Sequence, residues 1–271
     1  MSLIGHRRQG VPISRSGPGW GRVFRFVWVW LTVLILSGSA KAATPSSARE
    51  ILDRVDDLFR GKSSHGRMVM TVTTANWKRS LTIEAWSEGK GKSLLRILAP
   101  TKEKGTATLR SGNDIWNFLP KVNRIIKLPS SMMGSSWMGS HFTNDDLVKE
   151  SRMADDYTFE VSFEGRRGGR QVVEITCLAK PEAVVVWGKL VVEVQAEDYM
   201  PLELVYYDED LKKARTMRFE DIGLLGGRRL PKRLVVTPAD KPGESTEVTY
   251  LEMSFDLSLP ADLFTLRSLQ Q

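Results

Sequence analysis

From Arg67 onward the chain is built of runs too short for helices, alternating apolar and polar residues and broken by turn residues, which restricts it to an antiparallel β architecture. In residues 67–74, Met68, Met70 and Val72 alternate with Val69, Thr71 and Thr73; in 81–86, Leu81, Ile83 and Ala85 alternate with Thr82, Glu84 and Trp86. Gly89-Lys90-Gly91 reads as a turn and 94–98 as a strand. A loop over 100–105 leads to a strand at 106–110, a tight turn at 111–114, and strands at 115–119 and 124–128 joined across 120–123. Each of these strands pairs with the next through a short connection, which makes a meander. A second set follows at 157–163, 171–178, 189–195, 201–207, 215–222, 233–237 and 247–255, with turns such as 165–169 and Gly226-Gly227. With no helical pattern between the strands, the expected fold is mainly β (α+β): one curved antiparallel sheet or barrel, not βαβ units.

Two stretches break the period-two pattern. Ser47 and Glu50 form an S-x-x-E capping box ahead of Ala48, Ile51, Leu52, Val55, Leu58 and Phe59, which share one helical stripe that Gly61 ends. This amphipathic helix must lay its apolar face on the sheet. Residues 129–142 have neither period: they are rich in Gly and Ser yet hold Met132, Met133, Trp137, Met138 and Phe142, where a plain loop would be polar. Methionine fits many apolar shapes, so the segment reads either as a cover over a lipid site, hinged at Gly134 and Gly139, or as a plug at the end of the core. Residues 144–149 read as a short helix with Asp145 and Asp146 in its first turn, where they complement the helix dipole; Asp155-Asp156 reads as a turn before a strand.

Charge would invite a nucleic-acid reading, since the chain carries +7. Six of its 39 basic residues, and none of its 32 acidic ones, fall in residues 1–42, so the rest holds 33 against 32. Without a basic excess there is no footprint for a phosphate backbone, and no nucleic-acid partner is expected. The basic start, the apolar run 26–36 and Ala40-Lys41-Ala42 form a secretory signal peptide over 1–42, cut between Ala42 and Ala43. The run is well short of the roughly 20 residues of a spanning helix. A single domain over 43–271, exported from the cell interior, is expected. The one cysteine, Cys177, lies in an apolar stretch and cannot form an internal disulfide.

Chemistry has little support in the sequence. The histidines are His6, His65 and His141, with no metal-ligand spacing, and there is no nucleophile elbow, phosphate loop or Cys-His signature. No cofactor, no metal and no catalytic residue is expected.

The stretch Trp116-Asn-Phe-Leu-Pro-Lys-Val-Asn-Arg-Ile-Ile-Lys-Leu128, followed by Met138-Gly-Ser-His-Phe-Thr-Asn-Asp-Asp-Leu147, resembles the central signature of the outer-membrane lipoprotein-sorting proteins of the LolA-like superfamily, and Leu259-Pro-Ala-Asp-Leu-Phe-Thr265 resembles their closing segment. The resemblance implies a strongly curved antiparallel sheet forming an incomplete barrel, whose concave apolar face, covered by the N-terminal amphipathic helix and a short helix and loop lid, receives acyl chains. Its implied role is a periplasmic carrier of lipoproteins or another lipid, with an inner-membrane donor complex or exporter and an outer-membrane acceptor as partners. The alternative is a regulatory sensor of the same fold that binds a protein partner. The implied cavity residues are Met68, Met70, Val72, Leu81, Ile83, Trp116, Phe118, Met132, Met133, Trp137, Met138 and Phe142. The resemblance also implies an arginine of the early strands in cargo transfer, for which Arg67, Arg79 and Arg96 are the candidates.

Overall fold

A computed structural model describes residues 47–149, 153–183 and 185–271; the expected export signal and its cut lie outside the described residues. Helix α1 (Ala48–Asp57) starts at the predicted box: Ser47 Oγ accepts from the Glu50 amide and Glu50 Oε2 accepts from the Ser47 amide. The first meander follows as β1 (Ser63–Thr73), β2 (Lys78–Glu88), β3 (Lys92–Ala99), β4 (Ala107–Ser111), β5 (Asp114–Leu119) and β6 (Arg124–Lys127). Two short helices, α2 (Asn144–Lys149) and α3 (Met153–Asp156), precede the second. It comprises β7 (Tyr157–Arg167), β8 (Arg170–Ala179), β9 (Lys189–Gln195), β10 (Pro201–Tyr207), β11 (Lys213–Leu225), β12 (Arg228–Pro238) and β13 (Ser245–Phe255).

All thirteen strands form one antiparallel sheet in the order β6-β5-β4-β3-β2-β1-β13-β12-β11-β10-β9-β8-β7. Each meander pairs only with its own neighbours except at the centre, where β1 joins β13 from Ser64↔Phe255 to Thr73↔Ser245. The sheet is an incomplete barrel, with β6 and β7 as its two edges.

The first difference from the sequence reading is in strand length. β11 and β12 run on to a two-residue turn at Gly226-Gly227, whose φ values of +58° and +76° suit the right-handed twist of a hairpin. The residues before the turn and just after it, such as Gly223 and Arg229, carry no β signature, so pairing alone makes them strand. Asp155-Asp156, read as a turn, ends α3 instead. Arg49 of α1 donates to the Ala154 carbonyl and to Asp155 Oδ1 at 2.8 Å, a long-range contact that the local sequence does not contain.

Both faces of the first meander are covered, and strand parity decides by what. On one face, Leu94, Leu109 and Trp116 are successive cross-strand partners, as are Ala107 and Phe118. The C-terminal segment 257–271 packs on this face through Leu259, Leu263, Phe264 and Leu269. The opposite face carries Met70, Val72, Leu81, Ile83 and Ile97 against Trp137. In the second meander Ile51 and Leu52 of α1 pack with Ile175, Cys177, Val192 and Val236. Cys177 is fully buried there; burial, with the Asp56 carboxylate adding to it, pushes its thiol up to about 12.

Leu269 is wholly buried although it lies two residues from the C-terminus. Leu269→Ala should lower unfolding free energy by about 2–5 kcal/mol, the range for emptying a packed leucine site. Urea unfolding measures it. A loss below about 1 kcal/mol would mean that the segment only rests on the sheet.

Candidate functional site

Among the described residues, the two meanders line a cavity between them. Its lining mostly follows period two: Ser64, Gly66, Met68 and Met70 on β1, Ile83, Ala85 and Ser87 on β2 with Trp86 between them, Ser93 and Leu95 on β3, Leu204 and Tyr206 on β10, Met217 and Phe219 on β11, Leu234 on β12, and Val248 and Tyr250 on β13. Strands from both halves of the sheet can face one space only because the sheet curves. A bulge helps: β1 and β13 shift register between Arg67 and Met68, which leaves Leu251 outside and turns Met253 inward beside Tyr250. Met253 then lies against Gly66, where any side chain would collide with its sulfur.

Val55 and Phe59, on and just past α1, Trp137 and Phe142 of the segment 129–142, Leu147 of α2 and Met153 of α3 complete the wall. The space is about 210 Å³ on a measure by which one buried water needs only roughly 10–15 Å³. Its lining is predominantly apolar, so it suits an extended apolar guest better than a cluster of waters.

Five of the twelve expected cavity residues line this space: Met68, Met70, Ile83, Trp137 and Phe142. Val72 and Leu81 share their face but are sealed beneath Trp137, and Met138 packs beside them. Trp116 and Phe118 are on the other side of the sheet, under the C-terminal segment, because they fall in register with Leu109 and Ala107 on the outward parity. Met133 packs away from the cavity against Ile115, Leu128 and Leu147, and Met132 is 43% exposed. The cavity residues of β10–β13 were absent from the sequence reading. Their signal was present as alternation, but nothing local says that strands so far apart in sequence face the same space.

The covering segment is closed and firmly held. Trp137 is 5% exposed, and its Nε1 donates to Thr108 Oγ1 at 3.2 Å, which in turn donates to Asn117 Oδ1. Arg79 Nη2 donates to the Met138 carbonyl, and Met138 sits at φ +52°, a left-handed conformation that a non-glycine residue seldom takes unless its surroundings impose it. The His141 amide donates to Thr246 Oγ1 at 2.9 Å, and the His141 ring bonds Thr246 and Glu244. Among the three arginines considered, only Arg79 reaches this segment. Arg67 pairs with Glu252, and Arg96 donates to the Ser268 carbonyl of the C-terminal segment.

A fourth arginine matters more to the cover's position. Arg215 occupies the inward parity of β11 with Met217 and Phe219, and its guanidinium donates to both oxygens of Asp146, at 2.6 and 2.7 Å, and to the His141 carbonyl at 2.7 Å. Tyr206, its cross-strand partner on β10, and Trp187 flank it at 4.0 and 4.5 Å. Burial opposes the charge on Arg215, and the Asp146 carboxylate outweighs it, so the group is held ionised. Asp146 also accepts from Trp187 Nε1 and from the Thr143 amide, while Thr143 Oγ1 accepts from the Asp146 amide. The capping role expected for the acidic pair therefore belongs to Asp146, in a box with Thr143 that the sequence Thr143-x-x-Asp146 already spelled out.

Removing one partner of such a pair leaves a buried charge alone. Arg215→Leu should cost about 3–5 kcal/mol, whereas Arg215→Leu with Asp146→Leu should recover a large part of the loss. Denaturant unfolding of the two variants checks this; equal losses in both would show that the charges do not depend on each other.

Comparisons with known proteins agree with this geometry. A family model described as an uncharacterized protein family matches residues 89–271. No protein of curated function matches the chain. Among solved structures, an outer membrane lipoprotein-sorting protein domain from Vibrio parahaemolyticus superposes with TM-score 0.72 at 23% identity, covering 82% of this chain and 98% of its own. A DUF1329 family protein from Desulfovibrio piger gives 0.75 at 19% identity, covering 82% and 97%. A LolA superfamily protein from Nitrosomonas europaea gives 0.70 at 21% identity, covering 82% and 99%. At these identities the structural likeness is one of fold. The chain thus belongs to the uncharacterized family whose model spans 89–271, and its fold is that of the LolA-like lipoprotein-sorting proteins.

Proposed function

We propose that this protein is a periplasmic carrier that shields acyl chains of lipoproteins or of another lipid in its cavity while they move between the inner and outer membranes. The observation that carries the reading is the apolar space between the curved sheet, α1 and the segment 129–142. Likeness of fold to lipoprotein-sorting proteins supports it, as does the basic, apolar N-terminus expected to direct export. A donor at the inner membrane and an acceptor at the outer membrane belong to the same reading.

The energies are compatible with loading. Burying about ten methylenes is worth ~8 kcal/mol, which corresponds to micromolar affinity before other costs. On this reading loading lifts the cover, whose side-chain bonds to the sheet involve Arg79, Thr108, Arg215 and Thr246. At about 0.5–1.5 kcal/mol each, breaking them costs roughly 2–6 kcal/mol. A long chain offsets that; a short one does not. Affinity should therefore fall steeply below about ten carbons.

Native mass spectrometry of protein isolated from its own envelope should show a lipid adduct. Adding a long-chain lipid to stripped protein should shift the emission of Trp137, identified by comparison with Trp137→Phe. Protein that carries no lipid when isolated, and binds none when stripped, would refute the carrier.

A further inference from the structure

The cavity changes character along the strands. Ser64 pairs directly with Ser87 across β1 and β2, and Ser87 with Ser93 across β2 and β3, so three inward hydroxyls stand in one row; the first two are 2.7 Å apart. Two residues along, the row is Gly66, Ala85 and Leu95, and after the β2–β3 bulge it is Met68, Ile83 and Ile97. Met70 follows, under Trp137. From the helix side the cavity also meets Asp56 and Arg60, 6% and 8% exposed, the latter three residues before β1 begins. Both acids in the wall are already engaged: Asp56 accepts from the Met153 amide at 3.2 Å, and Asp146 is bound to Arg215 and Trp187. From Ser64 to Met70 is about 20 Å at ~3.3 Å per residue, somewhat more than the ~15 Å of one bilayer leaflet's hydrocarbon.

Ser64 and Ser87 bond each other, which leaves one hydroxyl proton of that pair and the Ser93 hydroxyl to be satisfied, and a guest that was apolar throughout would strip water from them without replacing it. Resting on the carrier reading, we propose that the cavity takes a glyceryl ester in one direction. Its ester and hydroxyl oxygens meet Ser64, Ser87 and Ser93, and its acyl chain runs along β1 toward Trp137. Hydroxyls both donate and accept, as a glyceryl ester head requires. A bare carboxylate fits less well, because it can only accept hydrogen bonds and its charge is costly to bring into an apolar space. Glyceryl esters occur both in free glycerolipids and on the modified N-terminal cysteine of lipoproteins, and the polar row recognises what the two share.

Isothermal titration of the stripped protein with 1-monopalmitoylglycerol, a palmitoylglyceryl-cysteine peptide and palmitate separates the possibilities. Both esters should bind more tightly than palmitate, and the tighter of the two names the source. Ser64→Ala, Ser87→Ala and Ser93→Ala together should weaken the esters on the order of tenfold, about one hydrogen bond's worth, and leave palmitate unchanged. If the triple variant does not fold, Ser93→Ala alone, at a half-buried position, serves the same comparison. Wild-type protein without preference for the esters, or a folded variant that keeps the preference, overturns the polar-head assignment while the carrier stands. No binding of any probe to the wild-type protein overturns the carrier itself.

Discussion

Everything in this fold depends on the pairing of β1 with β13. Each meander is a local structure whose strands follow one another. The contact between the first strand and the last makes one sheet of them, and it brings β10–β13 round to face β1 and β2 across a shared space. Its closure joins residues nearly two hundred apart, so it is the slow, non-local part of folding. The bulge at Leu251 sits in this seam, and it is what allows Tyr250 and Met253 both to face inward.

Curvature creates a hollow, and the rest of the chain determines what covers each side. The C-terminal segment seals the outward face of β3–β5 with Phe264 and Leu269, so the tryptophan and phenylalanine of β5 become ordinary core. On the inward face, α1 lies over the second meander and the segment 129–142 over the first. The Arg215–Asp146 pair joins the cover to the second meander, since it ties the start of α2 to β11 from the far half of the sheet. A buried ion pair adds little net stability compared with an apolar pair of similar volume, yet it tolerates few geometries. Its worth here is in fixing where the cover closes.

Much of this was legible in the sequence. The capping box at Ser47, the bounds of α2, and β9 and β10 follow directly from local patterns, because local chemistry determines them. Parity within a strand was legible as well: Met68, Met70 and Val72 do share a face. Which face is hollow was not. Both sides of β3–β5 are apolar, and only the docking of residues 257–271 tells them apart, so Trp116 and Phe118 were assigned to the wrong side. Arg215 went unnoticed for a related reason, although an arginine in the apolar parity of Met217 and Phe219 is a sign of a buried partner. That partner, Asp146, lies far away in sequence and looked like a simple helix cap.

The central claim is a location: an acyl chain lies inside the curved sheet, beneath the segment 129–142. A crystal structure of the protein with a lipid brominated at the end of its chain tests it most directly, since anomalous scattering places the bromine without interpretation of weak density. The account predicts a bromine peak within the cavity, near Met70 and Trp137. A peak on the outward face, or along the open edges at β6 or β7, would contradict it.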